Sequence, residues 1–263
     1  MPQPQFILDY TGNKYHESKE TEKININYDK YETIIEPFGG SFGFSRYLYE
    51  KKGLTHLNYI IYDYDEDLIN FFNYFKDLIN NGEHLAFIDE YNNEVKKMTE
   101  NCIYEKNPRY LNIKKVKNYL NLCTQKNIFI MYLIKKNHQK QTMPSCSPCL
   151  KKNCGFFELI KNATFIHSSF ENIDNAILND KKTFVYLDPP YIATDNSIYE
   201  VPFNINEIFK KMQHIFKTTD CLMVHQYNFL LCVVFEDKKQ IQYEKRYGGT
   251  TKKKTKHVFF YNF

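Results

Sequence analysis

Leu187-Asp188-Pro189-Pro190-Tyr191 is the run with the clearest chemical capacity in this 263-residue chain. It follows the apolar stretch Thr183 to Leu187, which reads as a buried strand. The end of a parallel strand is where α/β proteins place ligands. Asp188 is a hydrogen-bond acceptor there. Pro189 and Pro190 lack N–H groups and stiffen the backbone, so the Pro189 carbonyl can be aimed outward as a second acceptor. Tyr191 adds a flat face. Two acceptors and a ring suit a planar molecule with an exocyclic NH₂, whose two hydrogens they would take while enriching the nitrogen in electron density. A plain strand-to-helix turn is the bland alternative, and Asp-Pro-Pro-Tyr after a buried strand is more specific than that.

A second motif, Glu36-Pro37-Phe38-Gly39-Gly40-Ser41-Phe42-Gly43, follows the short strand Thr33 to Glu36. Its glycines let backbone approach a ligand closely. The spacing is not the dinucleotide G-x-G-x-x-G pattern, so phosphate binding has less support. Asp63 ends the next strand about 20 residues on, where an acid accepts from ribose hydroxyls. The expected ligand has a ribose and need not have a phosphate. Taken alone, a Gly-rich turn is equally a tight βα connection.

These motifs need elements to hold them. Phe44 to Lys52 reads as a helix stopped by Gly53, Leu57 to Tyr62 as a strand, and Glu66 to Asn80 as a helix with apolar positions at helical spacing. Strand–loop–helix–strand–helix is the signature of a parallel α/β sheet. Helical patterns continue over 83–100, 112–122 and 126–137. Strands resume at Ala163 to His167 and Thr183 to Leu187, then a helix at Asn204 to Lys217 and a strand at Cys221 to His225. A hairpin closes the chain: Gln240 to Tyr247, the turn Gly248-Gly249, and Lys256 to Phe263. The helical region interrupts the strand–helix alternation, so we expect an inserted lobe at 100–158 within a body formed by 1–99 and 159–263.

The formal net charge of +4 conceals a segregation. Residues 61–100 carry ten carboxylates against Lys76, Lys96 and Lys97. Residues 106–157 carry ten lysines and Arg109 with no acid, and residues 238–257 carry eight bases against Glu244. Such clustering is an electrostatic footprint for a polyanion. It makes Arg109, Lys114, Lys115, Lys117, Lys135, Lys136, Lys252 and Lys254 candidates for nucleic-acid contact. Arg109 is the only arginine of the lobe and its sole candidate for a bidentate guanine contact. His138, Cys146, Cys149 and Cys154 include one C-x-x-C and could supply four zinc ligands, but the other spacings are irregular and we expect no metal. No apolar run approaches the ~20 residues of a membrane span, the N-terminus shows no signal peptide, and an odd count of seven Cys suggests reduced thiols. The expected place of action is intracellular, in the cytoplasm or in a viral replication compartment for a virus-encoded chain.

Over nearly its whole length and in the same motif order, the chain resembles the Dam-type (class alpha) DNA adenine methyltransferases. Asp9-Tyr10-Thr11-Gly12-Asn13-Lys14 is similar to that family's N-terminal motif, Glu36 to Gly43 to its first cofactor loop, Tyr62 to Ile69 to its ribose-holding strand end, and Asp188 to Tyr191 to its catalytic motif without a change. Val224 to Asn228 and Phe259 to Phe263 resemble its later strands. The resemblance implies a Rossmann-like methyltransferase sheet, mostly parallel with a C-terminal antiparallel hairpin, plus a small helical target-recognition lobe. It implies S-adenosylmethionine as methyl donor and S-adenosylhomocysteine as product. Tyr10, Gly12, Lys14, Pro37, Phe38, Gly39, Gly40, Ser41, Gly43, Asp63, Tyr64, Ser169, Phe170 and Asp188 would hold the cofactor; Asp188, Pro189, Pro190 and Tyr191 would be catalytic. The expected reaction is site-specific methylation of adenine N6 in double-stranded DNA on a flipped base, and a cognate restriction endonuclease is a candidate partner.

Two departures stand out. Ser168-Ser169-Phe170 takes the place of Gly-Asp-Phe, so Ser169 replaces a carboxylate near the cofactor. The lobe lacks the Arg- and Gly-bearing segment of bacterial members, so a target sequence does not carry over. Methylation of an adenine or cytosine amine in RNA, and a nucleic-acid-binding pseudoenzyme, are the alternatives.

Overall fold

The computed structural model describes residues 14–100, 124–138, 156–191, 205–246 and 254–263. Its centre is a seven-stranded sheet of order β3-β2-β1-β4-β5-β7-β6. The strands are β1 (Thr33–Glu36), β2 (Asn58–Asp63), β3 (Thr164–His167), β4 (Thr183–Leu187), β5 (Asp220–Gln226), β6 (Lys239–Arg246) and β7 (Lys254–Tyr261). The first five are parallel; β7 runs antiparallel to both β5 and β6. Every residue of β4 is buried, as expected for a central parallel strand covered on both faces. The described helices are α1 (Gly43–Lys51), α2 (Glu66–Asn80), α3 (His84–Glu100), α4 (Gln125–His138), α5 (Phe156–Asn162), α6 (Asn175–Leu178), α7 (Ile205–Thr218) and α8 (Phe229–Val234).

The strand order reverses direction between β1 and β4, which are direct neighbours. A crevice for ligands opens at such a switch point, outside the strands' carboxyl ends. Glu36-Pro37 and Leu187-Asp188 are those ends here, so the two motifs singled out from the sequence meet at the place the topology designates.

Contacts divide the chain into two compact units: 14–69 with 162–263, and 70–161. In the first, Ile35, Val185, Leu187, Met223, Val258 and Phe260 from the sheet pack with Ile208, Met212, Ile215 and Phe216 of α7. Those α7 positions recur at helical spacing, which puts them on one stripe. In the second unit, α2, α3, α4 and α5 share an aromatic cluster. Tyr74 stacks on Phe129 at 4.7 Å, Phe87 meets Phe75 at 5.9 Å, and Phe157 meets Phe75 at 5.8 Å. The expected helices over 83–100 and 126–137 correspond to α3 and α4, while 112–122 and the Gly248-Gly249 turn lie outside the described residues.

Candidate active site

Glycine is required twice in the loop between β1 and α1. The Gly39 N–H donates to the Tyr62 carbonyl at 2.8 Å. At that distance a Cβ on residue 39 would fall 2.3 Å from Ile61 Cγ2 and 3.0 Å from the Tyr62 oxygen. Gly40 adopts φ 48°, a left-handed conformation that side chains disfavour. Phe42 is also left-handed, at φ 40°. Its buried ring packs on Phe165 at 5.4 Å, and this packing helps offset the strain of the backbone.

The loop is tied to the next strand by Asp63. Asp63 Oδ2 accepts from the Gly40 N–H at 2.7 Å, and Oδ1 accepts from the Asp65 N–H at 2.9 Å. Asp65 in turn caps α2 by accepting from the Leu68 N–H at 3.0 Å. A carboxylate offers about four lone-pair sites in all. Pro37 and Ser41 are buried, whereas Tyr64 is largely exposed and meets His167 edge-on. The Phe38 and Phe170 rings lie 4.7 Å apart, and Lys211 sits 5.9 Å over Phe170 while donating to the Glu171 and Ile173 carbonyls. Ser169 precedes the short 3-10 helix Phe170–Asn172, and its hydroxyl makes no capping bond there.

Glu36 sits behind the loop, fully inside the fold. It accepts from the Ser45 N–H at 2.6 Å, in the first turn of α1. Burial pushes its carboxyl up to about 8, against the pull of the Ser45 hydrogen bonds.

At the end of β4, Asp188 Oδ2 lies 2.8 Å from Lys14 Nζ. The same ammonium donates to the Tyr191 hydroxyl at 3.2 Å and lies 3.8 Å from Glu17 Oε2. Burial alone would lower the Lys14 pKa; Asp188, Tyr191 and Glu17 outweigh it and hold the ammonium well above the ordinary lysine range. Burial raises Asp188 above its usual value, and Lys14 pulls the other way. The Tyr191 ring packs against His225 at 4.8 Å and edge-on to His257 at 5.8 Å. Burial depresses His225 to about 4, so its imidazole is neutral at physiological pH. Lys14 opens the described N-terminal segment. The 3-10 helix Glu17–Ile24 follows it and is pinned on α1 by Tyr47–Glu22 at 2.6 Å and Tyr15–Glu50 at 2.7 Å.

The structure thus brings Lys14, Asp188, Pro189, Pro190 and Tyr191 together, with the Pro37–Gly43 loop and Asp63 on neighbouring strand ends. Sequence reasoning missed Glu17, Tyr243, Lys245 and His257, which form a buried cluster beside Lys14. Lys245 Nζ lies 2.7 Å from Glu17 Oε2, His257 Nδ1 lies 2.9 Å from Oε1, and the Tyr243 hydroxyl donates to Oε1. The signal was faint: Tyr243 and Lys245 share one face of β6 by alternation, and Tyr243 pairs with His257 across the hairpin.

A sequence model of the family described as "D12 class N6 adenine-specific DNA methyltransferase" matches residues 10–243. The chain belongs to this family. The D12-class enzyme therefore transfers a methyl group to adenine N6 in DNA, and its family implies S-adenosylmethionine as the donor. No curated protein matches the chain significantly. Its sheet, with five parallel strands and an antiparallel pair at one edge, is the Rossmann-like methyltransferase architecture expected from the resemblance.

Several expected contacts of the methyltransferase lie outside the described residues: Tyr10 and Gly12 at the cofactor side; Arg109, Lys114, Lys115, Lys117 and Lys252 at the DNA side; and Cys146, Cys149 and Cys154 of the zinc candidates. His138 ends α4, and its side chain, like that of Lys135, is not described. Lys136 Nζ sits 5.4 Å over the Tyr132 ring, and Lys254 pairs with Glu244 at 3.0 Å on the exposed hairpin. Among the described residues no cluster of His, Cys, Asp and Glu is arranged to hold a metal ion, and no helix is long and apolar enough to cross a membrane.

Proposed function

We propose that methylation takes place on a base flipped out of double-stranded DNA, at the pocket formed by Asp188, Pro189, Pro190 and Tyr191. The observation that carries this reading is the Lys14–Asp188 pair, 2.8 Å apart, at the carboxyl end of β4 beside the switch point. Adenine's amine is enclosed in the duplex, so the base must leave the stack, at a cost of a few kcal/mol. Asp188 and the Pro189 carbonyl accept the two amine hydrogens, which orients the nitrogen lone pair and raises its electron density. Tyr191 offers its ring to the base. With the lone pair aimed, catalysis rests on orientation and electrostatics and needs no covalent bond to the enzyme.

The loop residues Pro37, Phe38, Gly39, Gly40, Ser41 and Gly43, with Asp63, fit an S-adenosylmethionine site by the chemistry of their groups. An acid at the end of β2 accepts from ribose hydroxyls, and a glycine backbone permits close approach. Phe170 and Ser169 border the same strand ends, and Tyr64, Tyr10 and Gly12 complete the proposed set. Bound there, the cofactor supplies an electrophilic methyl group on a sulfonium. Lys14 belongs to the same proposed set by its motif, and its ammonium also faces Asp188, holding the carboxylate in place. The basic segments, with Arg109, Lys114, Lys115, Lys117, Lys135, Lys136, Lys252 and Lys254, contribute phosphate contacts that position the duplex.

Asp188→Ala tests the reading. Tritiated methyl transfer to duplex DNA should vanish while much of the cofactor binding remains in titration. Wild-type turnover in this variant would overturn it.

A further inference from the structure

We propose that Glu17 is a positioning residue for methyl transfer: held by the C-terminal hairpin, its carboxylate fixes the Lys14 ammonium against Asp188, so that Asp188 presents its other oxygen to the target amine. The inference rests on the reading of Asp188 as an amine acceptor.

The geometry is a chain of charges. Lys14 lies between two carboxylates, 2.8 Å from Asp188 Oδ2 and 3.8 Å from Glu17 Oε2. Its side chain is 7% exposed and that of Glu17 3%. A buried ammonium is costly unless its donors find partners. Lys14 has three donors, and Asp188, Tyr191 and Glu17 surround them. Glu17 itself cannot drift. Lys245 and Tyr243 on β6 and His257 on β7 converge on its two oxygens, and the short helix that carries it is fastened to α1. Burial acts to raise the Glu17 pKa, but the His257 contact and the charges of Lys14 and Lys245 hold it well below the usual carboxylate range. Glu17 is therefore favoured as the carboxylate, with Lys14 and Lys245 as its counter-charges.

The consequence for Asp188 is directional. With Lys14 on Oδ2, that oxygen is committed and the carboxylate plane is set. Oδ1 is then the oxygen presented to an incoming NH₂. Removing the Glu17 charge would leave Lys14 with Asp188 as its one carboxylate partner among those named and Lys245 without its own, and Lys14 would lose the restraint on its far side. The β6–β7 hairpin, far from Asp188 in sequence, thereby reaches the chemistry.

A double-mutant cycle on the full-length enzyme tests this, read as methyl-transfer rates in single turnover with enzyme in excess over duplex DNA, which keeps slow variants measurable. Glu17→Gln should lower the rate about 10–100-fold, the usual cost of losing a group that orients a reacting residue, with little change in DNA affinity. In a Lys14→Met background the same substitution should have almost no further effect, because Glu17 acts through Lys14. Tyr243→Phe, which removes one donor and preserves the ring, should give a smaller loss that likewise vanishes in that background. A wild-type rate for Glu17→Gln, or equal losses in both backgrounds, overturns the proposal. Asp188→Asn is run beside them: if it retains wild-type turnover, the reading of Asp188 fails, whatever Glu17 does.

Discussion

Asp63 shows how one side chain can serve structure and ligand together. Its two oxygens already fasten Gly40 and the start of α2, and the same carboxylate is proposed to accept from ribose. Asp63→Ala removes both hydrogen bonds, each worth about 1–3 kcal/mol when a buried donor is left unpaired. We expect cofactor Kd to rise at least about tenfold, read by calorimetric titration; an unchanged Kd would remove Asp63 from the site. Gly39→Ala should be equally informative. Its Cβ would meet Ile61 Cγ2 at 2.3 Å, so thermal unfolding should show a loss of about 1–3 kcal/mol. At this scale the sequence was legible where a residue type has few uses. Asp188-Pro189-Pro190-Tyr191 and the glycine loop were readable because only certain chemistry needs them. Glu17 was not, because an acidic residue three positions after Lys14 looks like any helix-face pair, and its partners lie more than 200 residues away.

Among the elements, α1 carries a pH dependence of known sign. Glu36, the last residue of β1, accepts from the first turn of α1 and has a carboxyl pushed up to about 8 from an ordinary 4.5. Between those values the folded protein holds the proton more tightly than the unfolded chain, so stability falls as pH rises through that window. The slope is at most about 1.4 kcal/mol per pH unit for one proton. Urea midpoints of wild type and Glu36→Gln at pH 5, 7 and 9 check it: the variant should lose less stability towards pH 9, and parallel curves would refute the assignment. Further along α1, Phe44 stacks on Tyr186 at 4.0 Å with planes 7° apart, and both rings are buried. Phe44→Ala should cost about 3–5 kcal/mol. The strands and longer helices followed from periodicity: the expected and observed bounds agree for β1, α2 and β4 and differ by a residue or two for the other expected elements among the described residues. The short 3-10 helix Glu17–Ile24 and helix α8 gave no such signal. Elements of that length are set by tertiary contacts, here Tyr47–Glu22 and Tyr15–Glu50, and carry little periodicity of their own.

For the molecule as a whole, the charge distribution matters more than the net +4. The acidic stretch 61–100 is followed almost directly by the basic stretch 106–157, and a second basic stretch lies in the hairpin region 238–257. Phosphate contacts release counterions, so affinity for duplex DNA should fall steeply with salt, and each lost contact should reduce the log–log slope by about 0.9. Replacing Lys114, Lys115 and Lys117 together by Gln should flatten the slope; an unchanged slope would place these lysines away from the backbone. The parallel sheet was legible from strand–helix alternation, because βαβ units leave few topologies, whereas the switch point between β1 and β4 came only with the strand order. The relation of the lobe to a particular DNA sequence was not, since base readout depends on a few side chains whose groove positions no periodicity encodes. The most direct test of the account is tritiated methyl transfer to duplex DNA, single-stranded DNA and RNA, followed by identification of the labelled nucleoside. The account predicts N6-methyladenine in duplex DNA, and label confined to RNA or to a methylated cytosine would contradict it.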